Sequence, residues 1–272
     1  PQVLGGELLL TASEPGLGTR TNNALVIVNS SNTVSFPDFT RYVQPYLDWF
    51  GVPYEACDIS SMPLPVLTDY GVIIFGHRNV YGSDYPLANL ESAVAAGTGL
   101  YSFDPHLFDF ESGFNIPGYA PAVTSHEIDI ITSPAHYITR LHVNDSYHPT
   151  NNKIPLMIGV GDIPVTISLN HYDFTLSGGI NLATMTNGSE TAPLLQVSSF
   201  SSGRIVKWTS YNWMFDEPLV LGPAFGMDDL IWRGIVWAAR KPFVMQGLPP
   251  MITMRVDDVD GTRTYNLDNL RW

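Results

Sequence analysis

The chain has 272 residues, 44% of them hydrophobic and 14% charged, which suits a packed globular protein and excludes an intrinsically disordered one. Its 13 basic and 26 acidic residues give a net charge of −13 and argue against a nucleic-acid partner, because phosphate binding needs clustered lysine and arginine. The acidic balance either suits a cationic partner, such as a polymer with free amines, or serves solubility alone. No apolar run approaches the ~20 residues that span a bilayer.

The first part of the chain alternates between strand and helix patterns. The apolar run 24–28 predicts a strand buried on both faces. Residues 39–50 carry apolar side chains at helical spacing, and Pro45 among them implies a kink. A helix is also predicted at 87–96, and further strands at 53–58, 71–76 and 99–103. This alternation is typical of βαβ units and of an α/β fold with a mainly parallel sheet.

The later part of the chain changes pattern twice. Short β-like runs from about 123 to 200 predict a β-rich insertion, and a hairpin and a helix at 225–240 then close the α/β pattern. Residues 247–250 are interpreted as a linker before a new strand at 251–256. The predicted units are therefore 1–122 and 193–246 for the two parts of the α/β domain, 123–192 for the insertion, and 247–272 for the linker and the start of a second domain.

The strand at 251–256 ends in two adjacent carboxylates, Asp257 and Asp258. Active sites concentrate at such strand ends. One carboxylate of the pair can hold a divalent metal while the other takes a proton from the attacking water. The same dipeptide also occurs in solvated loops, so the pair alone does not define a site.

The segment Pro-Pro-Met-Ile-Thr-Met-Arg-Val-Asp-Asp-Val at 249–259 resembles the opening barrel strand of the NodB-like polysaccharide deacetylases. The region before it, with a strand at 203–208 and a helix through Trp232 and Trp237, is similar to the accessory part that precedes such (β/α) barrels. The likeness is greatest to the secreted fungal deacetylases that act on galactosaminogalactan-type exopolysaccharide of biofilms. The resemblance implies Asp257 as catalytic base and Asp258 as ligand of a divalent metal, zinc or similar.

The resemblance also implies two further metal ligands, histidines from a later motif. All seven histidines of this chain lie before Asp258, at positions 77, 106, 126, 136, 142, 148 and 171. No two of them stand at i, i+4, so no helical metal pair is present. Unless one of these substitutes, we expect the chain alone to be inactive, and only a longer parent protein to be a hydrolase of amide bonds.

Residues 24–104 also resemble class I amidotransferase-like and ThuA-like domains, which are flavodoxin-like in strand and helix order. Such enzymes need a nucleophile on a sharp turn after a strand. The corresponding turn, 101–105, has no cysteine and no Gly-x-Ser-x-Gly, and Cys57 is interpreted as a buried structural thiol. The domain is therefore interpreted as a non-catalytic relative.

Four aromatic residues cluster within eight positions: Trp208, Tyr211, Trp213 and Phe215. Aromatic faces stack on sugar rings, so the cluster predicts carbohydrate binding, with an amino-sugar polymer as the expected partner. The alternative is that Trp208 and Trp213 belong to the core or to a domain interface.

Three N-glycosylation sequons begin at Asn29, Asn144 and Asn187, and the chain opens with Pro1 in place of an initiator methionine. Both features predict a processed, secreted glycoprotein.

Three functions are compatible with these patterns. The favoured one is the N-terminal accessory, carbohydrate-binding region of a secreted metal-dependent polysaccharide deacetylase acting on N-acetyl amino sugars. The second is a non-enzymatic amidotransferase-like scaffold or interaction domain, in which Asp257 and Asp258 are incidental. The third is a hydrolase with an unrecognised site around His77, Ser102 and Asp104.

Overall fold

The computed structural model describes residues 23–81, 87–104, 123–125, 127–131, 135–139, 153–155, 157–158, 163–164, 167–169, 179–186, 191–209 and 228–240. The strands in these ranges are β1 (Ala24–Val28), β2 (Tyr54–Asp58), β3 (Val72–Phe75), β4 (Gly99–Ser102), β5 (Val123–Ser125), β6 (Glu127–Ile130), β7 (Lys153–Pro155), β8 (Met157–Ile158), β9 (Ile163–Pro164), β10 (Ile167–Leu169), β11 (Ile180–Thr186), β12 (Thr191–Phe200) and β13 (Gly203–Trp208).

Helical segments lie between the parallel strands and after the last strand, β13. Helix α1 runs over residues 36–49 as three consecutive stretches, α-helical Phe36–Asp38, π-helical Phe39–Val43 and α-helical Gln44–Trp49. Helix α2 is Leu87–Ala95, helix α3 is Asp228–Ala239, and a 3₁₀ turn covers Leu67–Asp69.

The expected irregularity at Pro45 takes the form of the π-helical stretch. Proline has no N–H to donate to the carbonyl four residues earlier, so the regular hydrogen-bond ladder is interrupted there. The Gln44 N–H bonds instead to the carbonyl of Phe39, five residues back. The helix therefore continues through the proline instead of ending before it.

Nine strands form one mixed sheet in the order β2-β1-β3-β4-β13-β12-β11-β6-β7. The pairings from β2 through β1, β3 and β4 to β13 are parallel. From β13 onward, through β12, β11 and β6 to β7, they are antiparallel. The α/β class is thus confirmed, whereas the sheet is mixed and not mainly parallel. Strands of the expected β-rich insertion extend the same sheet, and the barrel strand at 251–256 lies outside the described residues.

The centre of the sheet is buried on both faces, and the inner parallel strands β1 and β3 carry apolar residues at every position. Neighbouring residues of β1 belong to two separate core clusters: Val26 belongs to one and Ile27 to the other. Helices α1 and α3 cover one face, and helix α2 covers the other. All five residues of β1 are buried, as the apolar run predicted. No helix in the described ranges is long and apolar enough to cross a membrane.

Candidate functional site

The carboxyl ends of β1, β2, β3 and β4 meet at one edge of the sheet, called here the carboxyl edge. It consists of the residues that follow these strands, 29–35, 59–61, 76–81 and 103–104, together with the last residues of the strands. Ligands of open α/β sheets bind in this position, outside the carboxyl ends of the strands. Sequence reasoning placed His77, Ser102 and Asp104 here, and the structure brings all three to this edge.

His77 is fully buried, and both of its ring nitrogens bond to backbone atoms. Nε2 accepts a hydrogen bond from the Asn29 N–H at 3.0 Å, and Nδ1 donates to the Arg78 carbonyl at 2.9 Å. The ring of Phe36 packs edge-on against it at 6.0 Å. Burial lowers the pKa of His77, although the Arg78 carbonyl and the charge of Asp104 oppose this. The imidazole is therefore neutral and holds two loops together.

Ser102 and Asp104 are also buried and bonded to their surroundings. The Ser102 hydroxyl donates to the Asp104 carbonyl at 3.0 Å and accepts from the Asp104 N–H at 3.0 Å. The Asp104 carboxylate accepts from the Val80 N–H at 3.2 Å. A catalytic serine needs its hydroxyl hydrogen-bonded to a base. These contacts give Ser102 a structural role in the turn after β4 and speak against the hydrolase site around His77.

Asp58 ties the loop after β2 to the loop after β1. Its carboxylate accepts from the N–H groups of Ser30 and Ser60, each at 3.0 Å, and from the Ser60 hydroxyl at 2.7 Å. Burial alone would raise the pKa of Asp58, but these hydrogen bonds outweigh it and lower the pKa to about 2. The neighbouring Cys57 is buried and contacts the Pro63 carbonyl, as expected of a structural thiol.

The glycosylation expected at Asn29 does not fit its surroundings. Its amide nitrogen, the atom that a glycan would modify, donates to the Val80 carbonyl at 2.7 Å. Its amide oxygen accepts from the N–H and hydroxyl of Ser31. The sequon is thus a turn that connects the loops after β1 and β3. Asn144 and Asn187 lie outside the described residues.

The structure removes Trp208 from the expected carbohydrate-binding cluster of aromatic residues. Its side chain has no exposed surface, and its indole N–H donates to the Tyr101 hydroxyl at 2.6 Å within the core. A ring without exposed surface cannot stack on a sugar, so the alternative interpretation of Trp208 as a core residue is correct. Tyr211, Trp213 and Phe215 lie outside the described residues.

The expected catalytic pair, Asp257 and Asp258, also lies outside the described residues. Within the described ranges, no three His, Cys, Asp or Glu side chains come together as metal ligands. The metal site therefore stays a prediction that rests on the sequence pattern at 249–259.

A second polar group, which sequence reasoning missed, lies at the opposite, amino edge of the sheet. Its members come from three separate segments: His136 and Tyr137, then Arg204 at the start of β13, then Arg233 and Trp237 on α3 and Arg240 after it. In the sequence, the only indication of this group was the i, i+4 spacing of Arg233 and Trp237, which places both on one face of a helix.

No protein-family model matches the chain, and a search of curated proteins finds no match either. Solved structures do match in fold. A ThuA-like protein from Bacteroides uniformis is 12% identical, with 81% of this chain and 93% of that chain covered and a TM-score of 0.53. A ThuA-like protein from Parabacteroides merdae is 12% identical, with 84% and 93% covered and a TM-score of 0.54. Likeness at this identity shows the fold alone, and it fits a broad α/β class.

A larger protein, the carbohydrate deacetylase Agd3, contains a part that is similar to this chain. The identity is 15%, and the match covers 69% of this chain and 29% of Agd3, with a TM-score of 0.42.

The expectation of a secreted protein is corrected by two further neighbours. Both are described as cytoplasmic proteins of Salmonella typhimurium, at 14% and 15% identity and TM-scores of 0.45 and 0.42, with 79% of this chain and 98% of each neighbour covered. Extracellular location is therefore not proposed for this chain.

Proposed function

We propose that this chain is the accessory, carbohydrate-binding region of a metal-dependent polysaccharide deacetylase. The observation that carries the proposal is the sequence pattern at 249–259, which contains Asp257 and Asp258. At the carboxyl edge, where an enzyme of this architecture would hold its chemistry, the candidate side chains bond to the protein itself. His77 has both ring nitrogens engaged, and the Ser102 hydroxyl is bonded on both sides. The catalytic site of the complete protein is therefore assigned to a segment outside this α/β unit.

The catalytic role is assigned to the segment after the linker. Asp257 is the proposed base, which takes a proton during amide hydrolysis, and Asp258 is the proposed ligand of a divalent metal such as zinc. The support is the sequence pattern at 249–259, together with a preceding α/β unit in which the candidate catalytic side chains His77 and Ser102 are hydrogen-bonded within the protein. The proposed substrate is a polymer of N-acetyl amino sugars.

Sugar binding is assigned to the aromatic residues after β13 that remain candidates, Tyr211, Trp213 and Phe215. Their neighbour Trp208 is used in the core, so it contributes stability and not binding. The net charge of −13 supports a preference for free amines over acetylated ones, because attraction to cations falls when the amine is acetylated.

A non-enzymatic scaffold or interaction domain is the second candidate. The self-bonded carboxyl edge favours it as much as the accessory region, since neither has catalytic groups there. The two candidates differ in what Asp257 and Asp258 do.

Acetate release from acetylated amino-sugar oligomers, measured with the complete encoded protein and added zinc, separates them. Asp257→Asn should abolish release with the fold intact, and Asp258→Asn should raise the zinc concentration needed for half-maximal rate. The matched control is Asp69→Asn, which removes an exposed carboxylate of the 3₁₀ turn and should change neither. Wild-type rates in both active-site variants, or no release by the complete protein, would leave the scaffold as the function.

The binding role has its own test, a pull-down on insoluble amino-sugar polymer. Trp213→Ala should lose retention with unchanged thermal stability. Trp208→Phe should retain binding with reduced stability, because it removes the hydrogen bond to Tyr101 inside the core. If the folded Trp213→Ala protein binds like wild type, the aromatic residues after β13 are not the binding site.

A further inference from the structure

Near its end, helix α3 carries Trp237 at the amino edge of the sheet, where Ala238 lies against Gly99, the first residue of β4. The Arg204 guanidinium lies over the Trp237 ring, 4.8 Å from its centroid, and donates to the Trp237 carbonyl at 2.9 Å. The His136 ring meets the same indole edge-on at 4.9 Å. Trp237 therefore contacts two basic side chains, Arg204 and His136, which come from distant segments of the chain.

One turn earlier on α3, Arg233 extends this arrangement. Its guanidinium donates to the carbonyls of Tyr137 and Ile138 and lies 4.3 Å from the centre of the Tyr137 ring. Tyr137 itself is 38% exposed. Arg240, which follows the helix, is exposed and acts electrostatically on Arg204. We call this set the amino-edge cluster: His136, Tyr137, Arg204, Arg233, Trp237 and Arg240.

The ionisable side chains of the cluster present donors and cations. The Nδ1 atom of His136 accepts from the Ile138 N–H at 3.2 Å, so the neutral ring carries its proton on Nε2, which is then a donor. Guanidinium groups only donate. Burial lowers the pKa of His136, and the charges of Arg204 and Arg233 lower it further. Among the described residues, no carboxylate lies within ion-pair distance of these basic groups.

The helix C-terminus does not account for this much positive charge. Its macrodipole corresponds to about half a negative charge, which one cation offsets. Three guanidinium groups therefore leave a local surplus, in a protein whose net charge is −13. Two of them also bond to carbonyls, which fixes their position and preorganises the remaining N–H groups.

We propose that the amino-edge cluster binds the oxyanion of an acidic sugar, either the carboxylate of a uronate or the phosphate of a sugar phosphate. Arg204, Arg240 and the Nε2–H of His136 donate to the oxyanion. The exposed ring of Tyr137 provides the apolar surface for the sugar face. The inference rests on the proposed carbohydrate-binding function and specifies one class of sugar for a second site.

The test is calorimetric titration of the full chain at about 0.15 M salt, where a Debye length of about 8 Å screens the distant acidic surface. The ligands are trigalacturonate, glucose 6-phosphate, neutral maltotriose and inorganic phosphate. Either anionic sugar should bind, and the comparison between them identifies the source of the oxyanion. Maltotriose should not bind, and inorganic phosphate should bind more weakly than the anionic sugar.

Three variants locate the site. Arg204→Gln should weaken binding about 10-fold, because a partly buried charge-assisted hydrogen bond is lost. Arg240→Gln should weaken it about 3-fold, since its contact is exposed. The matched control is Arg41→Gln, which removes an arginine 5.4 Å from the ring of Tyr42 on α1 with the same change in charge and should leave affinity unchanged. If Arg204→Gln does not fold, Arg240→Glu replaces it and should abolish binding.

The His136 imidazole gives a second readout by NMR titration. A bound oxyanion favours the protonated ring, so its pKa should rise on addition of the anionic sugar, while that of His77 should not change. Failure of both anionic sugars to bind, an affinity unaffected by either arginine variant, or inorganic phosphate binding as tightly as the sugars would overturn the assignment. Retention on amino-sugar polymer that depends on Trp213 would still stand in that case, so the two proposals fail separately.

Discussion

At the carboxyl edge of the sheet, several polar side chains bond within the protein: His77 joins two loops, Asp58 accepts from two serines, and Arg78 pairs with Asp38 at 3.4 Å. At the amino edge, Arg204 and His136 contact Trp237, while Arg233 and Arg240 act electrostatically on them. None of these four basic groups has a carboxylate partner among the described residues. Both edges belong to one sheet and use similar residue types.

The difference between the edges concerns hydrogen-bond balance. A balanced set of buried polar groups orders loops and leaves nothing to attract a ligand. A surplus of donors costs solvation and repulsion in the free protein, and an oxyanion relieves both. Ligands of α/β sheets are usually sought at the carboxyl ends of strands. Among the residues that the structure describes, the edge with unmatched charge is the other one.

The largest predicted effect compares glycines at the two edges. A Cβ at Gly203 would collide with the carbonyl of Val94 at the end of α2, and backbone cannot move aside. A Cβ at Gly76 would meet the Phe39 side chain at 2.8 Å, and a side chain can rotate. Gly203→Ala should therefore lower the free energy of unfolding by about 3 kcal/mol or more and Gly76→Ala by about 1 kcal/mol. Urea unfolding measures both, and equal losses would contradict the rigid contact at the amino edge.

The second prediction compares the two histidines. His77→Ala leaves the Asn29 N–H and the Arg78 carbonyl without their partner in the interior, so unfolding free energy should fall by about 2–3 kcal/mol. His136→Ala removes a half-buried ring with one hydrogen bond and should cost about 1 kcal/mol. The same denaturation assay decides it, and a smaller loss for His77→Ala than for His136→Ala would disprove the anchoring role of His77.

The third prediction concerns pH. The folded-state pKa of His77 lies below its ordinary value of 6.5, so the unfolded chain takes up a proton first as pH falls. Stability should therefore decrease below about pH 6.5, and His136 contributes with the same sign. His77→Gln should flatten this decrease between about pH 7.5 and 5.5. A profile with the wild-type slope in that variant would show that His77 titrates normally in the folded protein.

Asp58 produces a separate decrease at lower pH. Its pKa is about 2 in the folded protein against 3.8 for the free side chain, so its contribution is present above pH 3.8 and disappears as pH falls towards 2. Asp58→Asn should remove this component while leaving the histidine component unchanged. Acid unfolding curves of the variant and the wild type make the comparison, and identical curves would contradict it.

The smallest predicted effect has opposite signs at the two edges. Arg78→Gln removes an ion pair with Asp38 and should destabilise the protein by a few tenths of a kcal/mol. Arg240→Gln removes repulsion with Arg204 and should stabilise it by about the same amount. Thermal unfolding at low and high salt measures both, and the two shifts should converge as salt screens the charges. A destabilising Arg240→Gln would show that attraction to the C-terminal dipole of α3 outweighs the repulsion from Arg204.

Local sequence patterns predicted much of the fold. The apolar runs at β1 and β3 and the helical stripe of α3 were recognisable because burial on both faces, or on one helix face, leaves a periodic signature in the chain. The turn at Ser201 and the burial of Cys57 followed from equally local features. The mixed character of the sheet did not, because strand order depends on pairings between distant segments.

The sequence by itself determined the α/β class and the hairpin between β12 and β13. Only the tertiary structure decided that Trp208 lies in the core against Tyr101, that the amide of Asn29 is bonded to Val80, and that distant basic residues meet around Trp237. The physical reason is that periodicity records how a residue faces its own helix or strand. Partners contributed by another segment, and the hydrogen-bond balance that they create, leave no local pattern in the sequence.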